Sequence, residues 1–253
     1  MKALILAAGR GRRLWPFTAE SPKCLLDVGG MSLLERQLYH LRTADIRQVT
    51  VVCGFGIDRV RATLKQTADQ EVKLLYNPFY AVSDNLISLW VARSEMNKDF
   101  ILLNGDNIFH PRSVRTLTKQ RAACTVLAAR KRTYLPDDMK IYLRDGNVSR
   151  IGKALACEEA NAESLGMLLF RSNGVRILRE ALEDMVLDEN AINSHFPAVI
   201  QHIINRGLPI NCCFAEEFPC SDVDTPADLE RVRQNAHLYT AAPLGAAQSG
   251  EIH

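Results

Sequence analysis

Apolar positions along this chain fall into short blocks that switch between two rhythms. Residues 2–7 form a compact apolar run that ends at Gly9, the pattern of a buried strand opening into a loop. From Ser32 to Leu41 the leucines at 34, 38 and 41 keep helical spacing. Ser32 stands as N-cap and Glu35 follows three residues on, a capping box. Val49 to Cys53 reads as a second buried strand, closed by Gly54. Residues 57–68 predict an amphipathic helix and 71–76 a third strand. A helix from Asn85 to Glu95 leads to a fourth strand, Phe100 to Leu103, which stops at Asn104-Gly105-Asp106. A helix over 111–121 and a strand over 123–129 continue the alternation. Strands alternating with helices predict βαβ units and a mostly parallel sheet.

Past residue 130 the rhythm changes. Lys140 to Leu143, an Asp145-Gly146 turn and Val148 to Ile151 predict a β-hairpin. Leu165 to Phe170 is a further strand, 174–187 and 193–206 are helices, and Ile210 to Phe214 is a short strand. A last helix opens near Pro226. The stretch 241–253 has small residues and no periodicity, so it is expected to be a flexible tail.

Composition narrows the function. Hydrophobic residues make up 47% of the 253, enough for a sizeable core. The net charge of +2 is too small for a nucleic-acid footprint, so Arg10, Arg12 and Arg13 point to a small anion or to a solvated loop. Seven cysteines without a C-x-x-C pair argue against a disulfide frame or zinc site and predict a reducing, cytoplasmic setting. No apolar run is long enough for membrane insertion, and the one at the start is too short for a leader.

The chemistry concentrates in three places. Leu6-Ala7-Ala8-Gly9-Arg10-Gly11-Arg12-Arg13-Leu14 follows the first strand, with Pro22 and Lys23 beyond. Small residues let backbone N–H groups approach an anion, and an Arg with a Lys adds charge for a triphosphate. Leu14 stands where a dinucleotide fingerprint needs its third glycine, which disfavours a NAD-dependent oxidoreductase. Asp106 follows a strand, where open sheets bind ligands, and a carboxylate there can hold Mg²⁺. Asp222 and Asp224 lie two apart, so on an extended chain both face one side, although Asp224 or Thr225 could instead cap the helix at Pro226.

The stretch LAAGRGRRLWPFTAESPK resembles the signature of nucleotidyltransferases related to the sugar-1-phosphate nucleotidylyltransferases. The segment Asn77 to Leu89, NPFYAVSDNLISL, looks like the N-x-x-Y…N-N-x-x-S-L stretch of their phosphocholine cytidylyltransferase-like branch. The resemblance implies a three-layer α/β/α fold around a mostly parallel, Rossmann-like mixed sheet. It implies one domain over 1–240, with a nucleotide half (1–130) and an acceptor half (131–240) that contains the hairpin. Arg13 and Lys23 would be catalytic. Leu6, Ala7, Ala8, Gly9, Gly11, Gly54, Asn77, Ser83, Asn85 and Gly105 would surround CTP. Asp106 and Asp224, with Asp222 as a lesser candidate, would hold Mg²⁺. Asp138, Lys153 and Glu163 would meet a small phosphorylated acceptor. A Trp that marks choline-specific relatives is replaced around Asp138-Met139, which opens the acceptor to aminoethylphosphonate, phosphoethanolamine, glycerol phosphate or inositol phosphate as well. A homodimer is left open. The rival readings are a sugar-1-phosphate nucleotidylyltransferase using UTP, dTTP or GTP, and a non-catalytic nucleotide-sensing module. Of the histidines, His110 alone stands close to this chemistry.

Overall fold

A computed structural model describes residues 1–65, 71–215 and 218–240. The stretch 241–253 and the last positions of the helix expected over 57–68 lie outside the described residues. The strands are β1 Lys2–Ala7, β2 Asp27–Val28, β3 Met31–Ser32, β4 Gln48–Cys53, β5 Glu71–Tyr76, β6 Phe100–Asn104, β7 Asn107–Phe109, β8 Cys124–Ala129, β9 Lys140–Arg144, β10 Asn147–Gly152, β11 Ala162–Phe170, β12 Asn211–Phe214 and β13 Cys220–Asp222. The α-helices are α1 Leu33–Thr43, α2 Ile57–Leu64, α3 Asn85–Val91, α4 Pro111–Thr118, α5 Asn173–Met185, α6 Pro197–Asn205 and α7 Pro226–Gln234.

Among the described residues, nine strands share one sheet in the order β5-β4-β1-β6-β11-β8-β12-β10-β9. The first four are parallel, as their apolar runs predict: all six residues of β1 are buried. Alternation along β1 then divides the core. Leu4 and Leu6 pack with α3, α5 and α6 on one face, while Ala3, Ile5 and Ala7 pack with α1, α2 and α4 on the other. Three layers result, α/β/α.

The mixed character begins at β11, which runs antiparallel to both β6 and β8. The hairpin β9–β10 follows β12 in the sheet, and β9 returns to pair with the start of β11. The last five strands therefore close on themselves beside the open parallel part.

The capping box of α1 forms, with Ser32 Oγ accepting from Glu35 N–H. Two short ribbons were not expected: β2–β3, and β7–β13, which pairs Asp222 with Asn107. β11 begins three residues before the expected strand, and α6 starts at Pro197 rather than 193. Pro197 has no N–H to offer and sits where none is needed, at the first helical turn. No helix among the described residues is long and apolar enough to cross a membrane.

Candidate active site

The loop after β1 is shaped by its glycines. Gly11 adopts φ +63°, and a β-carbon there would press on Lys23 Cβ and Thr18 Cγ2, both at 3.1 Å. Thr18 Oγ1 donates to the Gly11 carbonyl at 2.8 Å, and a single 3₁₀ turn, Arg12–Leu14, follows. That turn buries Leu14 and sends Arg13 outward. Pro22 then starts a second 3₁₀ turn, Lys23–Leu25, which brings Lys23 back under the loop.

Asp106 follows β6, beside the carboxyl end of β1. The β7–β13 ribbon carries the second acidic pair to the same place, and Val223 N–H donates to the Asp106 carbonyl at 3.1 Å. Val223 is fully buried, so Asp222 and Asp224 both face the cleft. Thr225 then caps α7 in a capping box with Asp228. The capping role thus belongs to Thr225, and Asp224 is free for the site.

Lys23 Nζ donates to Asp106 Oδ2 at 2.7 Å and to Asp224 Oδ1 at 2.6 Å. Burial works against its charge, yet the two carboxylates outweigh it and hold the lysine pKa above its ordinary value. Arg13 spans Asp224, at 2.8 Å, and Asp137, at 2.9 Å. Asp106 Oδ1 is buried and accepts no hydrogen bond. Asp222 accepts a short hydrogen bond from Asn107 Nδ2. Its side chain is open to the cleft but lies at the cleft floor, where surrounding protein and then Asp106 and Asp224 push its carboxyl up to about 8. Among the described residues no three Asp, Glu, His or Cys groups converge on one point; Lys23 Nζ is the cation that Asp106 and Asp224 share.

Two cavities meet at this cluster. The smaller, about 290 Å³, is lined by Leu6, Ala7, Gly9, Gly11, Lys23 and Gly105. The larger, about 580 Å³, reaches toward the hairpin and takes in Asn85, Asp138, Lys153, Glu163 and Asp222. Arg13, Asp106 and Asp224 line both. Ala8 and Gly54, both expected at the nucleotide, line neither cavity; they pack against each other, and a β-carbon on Gly54 would lie 2.6 Å from the Ala8 carbonyl oxygen.

Two more expected ligand contacts, Asn77 and Ser83, lie elsewhere. Asn77 is fully buried, donates to Ser88 Oγ at 3.0 Å and accepts from Phe79 N–H. Ser83 donates to the Phe79 carbonyl at 2.9 Å. Both hold the loop Asn77–Asp84 in shape and line neither cavity. Asn85 does line the larger one, and its Oδ1 accepts from Phe196 N–H at 2.7 Å.

In the larger cavity Lys131 bridges Glu163, at 2.5 Å, and Asp138, at 3.2 Å. Burial raises the Glu163 pKa against the pull of Lys131. Burial opposes the Asp138 charge as well, but the Leu135 N–H and Lys131 prevail and lower its pKa. Asp137 joins Lys153, at 2.5 Å, to Arg13. The hydrogen bond from Lys153, and then that from Arg13, lowers the Asp137 pKa. Lys131 was not singled out in the sequence, although it follows the carboxyl end of β8 just as Asp106 follows β6. His195 also lines this cavity, 3.7 Å from Asp84. His110 instead caps α4 and stacks on Phe218.

Comparison with known proteins gives a consistent picture. A "Bifunctional IPC transferase and DIPP synthase" from Aquifex aeolicus is 25% identical over 92% of this chain and 51% of its own. A choline-phosphate cytidylyltransferase from Streptococcus pneumoniae is 33% identical over 42% of this chain and 45% of its own. The chain thus spans about half the length of these curated relatives. The solved structure of the CTP:phosphocholine cytidylyltransferase from Streptococcus pneumoniae superposes with a TM-score of 0.75, at 20% identity, over 93% of this chain and 98% of that one, which shows a shared fold. The model of the MobA-like NTP transferase domain matches residues 3–195, and the chain belongs to that family.

Proposed function

We propose that this protein is a cytidylyltransferase that moves CMP from CTP to a small phosphorylated or phosphonate acceptor and releases pyrophosphate. One observation carries this reading: two cavities of suitable size share a wall built from Arg13, Asp106 and Asp224, with Lys23 behind it. A nucleotide in the smaller cavity and an acceptor in the larger would meet there, across the α-phosphate. The choice of CTP rests on the Asn77–Leu89 resemblance and on the cytidylyltransferases among the similar proteins.

The acceptor oxygen is already anionic at neutral pH, so no general base is needed. It forms the new P–O bond as the bond to the leaving pyrophosphate breaks. Lys23 is placed to offset charge that builds on the α-phosphate, and Arg13 to hold the phosphates that depart. The donor set fits Mg²⁺, which takes one or two carboxylates and completes its shell with phosphate oxygens. Asp106, with an unpartnered buried oxygen, and Asp224 are the ligands we assign; Asp222 is held to one side by Asn107. Bound there, Mg²⁺ would draw charge from the phosphate oxygens.

The larger cavity suits an acceptor with a primary ammonium or hydroxyls. Asp138 and Glu163 supply acceptors for such donors; neither Tyr134 nor Tyr142 lines the space, and Phe196, which does, is buried to 1% exposure. A trimethylammonium group would want an aromatic face. The seven free thiols agree with the reducing cytoplasm we assign to it.

A matrix of CTP, UTP, dTTP and GTP against phosphoethanolamine, 2-aminoethylphosphonate, phosphocholine, inositol phosphate, glycerol phosphate and glucose 1-phosphate tests the reading through pyrophosphate release. CTP with a non-sugar acceptor is the expected winner. Turnover confined to UTP, dTTP or GTP with glucose 1-phosphate would overturn it. So would nucleotide binding without pyrophosphate release for every pair.

A further inference from the structure

Lys140, the first residue of β9, is fully buried. Its ammonium faces no carboxylate among the described residues. It donates instead to three backbone carbonyls of one turn: Leu135 at 3.2 Å, Pro136 at 2.8 Å and Asp138 at 3.3 Å. The turn is drawn around the Nζ as if around a bound cation. Two further bonds complete it, from Asp138 N–H to the Leu135 carbonyl at 3.1 Å and from Leu135 N–H to Asp138 Oδ2 at 2.8 Å.

The location gives the arrangement its meaning. The turn presents Asp137 to Arg13 and Lys153, and Asp138 to Lys131. In the sheet Lys140 stands opposite Gly152 on one side and Glu163 on the other. It therefore joins three segments of the acceptor cavity. Burying an ammonium is costly, and methionine would fill much the same volume without that penalty. The charge is not needed to pack β9. What an apolar side chain could not do is hold three carbonyls in one place.

We propose that Lys140 is a positioning residue for acceptor specificity, an internal cation that fixes Asp137 and Asp138 for the incoming acceptor. This deepens the cytidylyltransferase reading and rests on it. Its effect is expected on the acceptor side, since the turn meets the β1 loop only through the Asp137–Arg13 ion pair, whose side chains are both more than half exposed.

The test is Lys140→Met, compared with wild type in three readouts. With phosphoethanolamine varied at saturating CTP, the acceptor KM is expected to rise at least tenfold. The CTP KM is expected to stay within twofold. In the protein without ligands, amide exchange at Leu135 and Asp138 is expected to accelerate at least tenfold. An unchanged acceptor KM, an equal rise in both KM values, or unchanged exchange at the two amides overturns the inference. If wild type turns over no acceptor, the functional reading fails on its own, and the exchange measurement still decides whether Lys140 holds the turn. Should the methionine variant not fold, Lys140→Gln is read the same way: its amide reaches fewer carbonyls, and a smaller rise confined to the acceptor KM supports the role. Joint loss of both substrates in that variant overturns it.

Discussion

The two sides of the cleft are made of different material. The β1 side is mostly backbone: small residues, a positive φ at Gly11, and apolar strands behind. The hairpin side is mostly charged side chains held by one another, as in Lys131 between Asp138 and Glu163, or Asp137 between Arg13 and Lys153. A backbone surface suits a partner that never changes, such as a triphosphate. A side-chain surface can be altered one residue at a time without disturbing the fold, which suits a variable acceptor.

The largest test of this contrast lies on the seam itself. Lys23→Met removes the cation between Asp106 and Asp224 and should cost about 10²–10³ in kcat, roughly 3–4 kcal/mol, whichever acceptor is used. Single-turnover pyrophosphate release would measure it, and an effect limited to one acceptor would break the contrast. Gly54→Ala probes the backbone side. Its new β-carbon would lie 2.3 Å from Tyr80 Cβ, so a loss of about 2 kcal/mol is expected in urea unfolding. The CTP KM should rise while the acceptor KM stays put.

Acid tests the support beneath the seam. His40 on α1 is buried against Phe109, and burial, followed by the charges of Arg36 and His110, lowers its pKa to about 3. A depressed pKa means that folding favours the neutral ring. The stability it contributes is complete above about 6.5 and is lost as pH falls toward about 3. Between pH 7 and pH 5 the loss from this group is about 2 kcal/mol. His40→Leu should flatten that slope in denaturant titrations at the two pH values. The smallest effect is expected on the side-chain wall: Glu163→Gln should raise the acceptor KM about tenfold, near 1.4 kcal/mol, with the CTP KM unchanged.

The same contrast explains what could be read from the sequence. The β1 loop was legible because its motif includes Gly11, whose positive φ beside Lys23 and Thr18 few residue types can meet. The inner parallel strands β1, β4 and β6 were legible because burial on both faces leaves nearly unbroken apolar runs, whereas the edge strand β5 has no such run. The β7–β13 ribbon was not legible, since three residues are too few to set a period; the expectation that Asp222 and Asp224 meet Asp106 came from their spacing and from the family resemblance, not from any strand pattern. Lys140 was hidden for another reason: a lysine in a hairpin reads as a solvated charge, and only the closing of β9 onto β11 buries it. Asn77 shows the opposite failure. A motif position was read as a ligand contact, whereas its amide ties the loop to α3, donating to Ser88 and accepting from Phe79 N–H.

The bond from Lys23 to Asp224 joins residues 201 positions apart. During synthesis, β1, β4, β5 and β6 and their helices can assemble long before β13 exists. A ribosome-bound chain that has reached β11 would present the glycine loop without Asp224 to meet it. The wall between the two cavities therefore cannot be complete until β13 has been made.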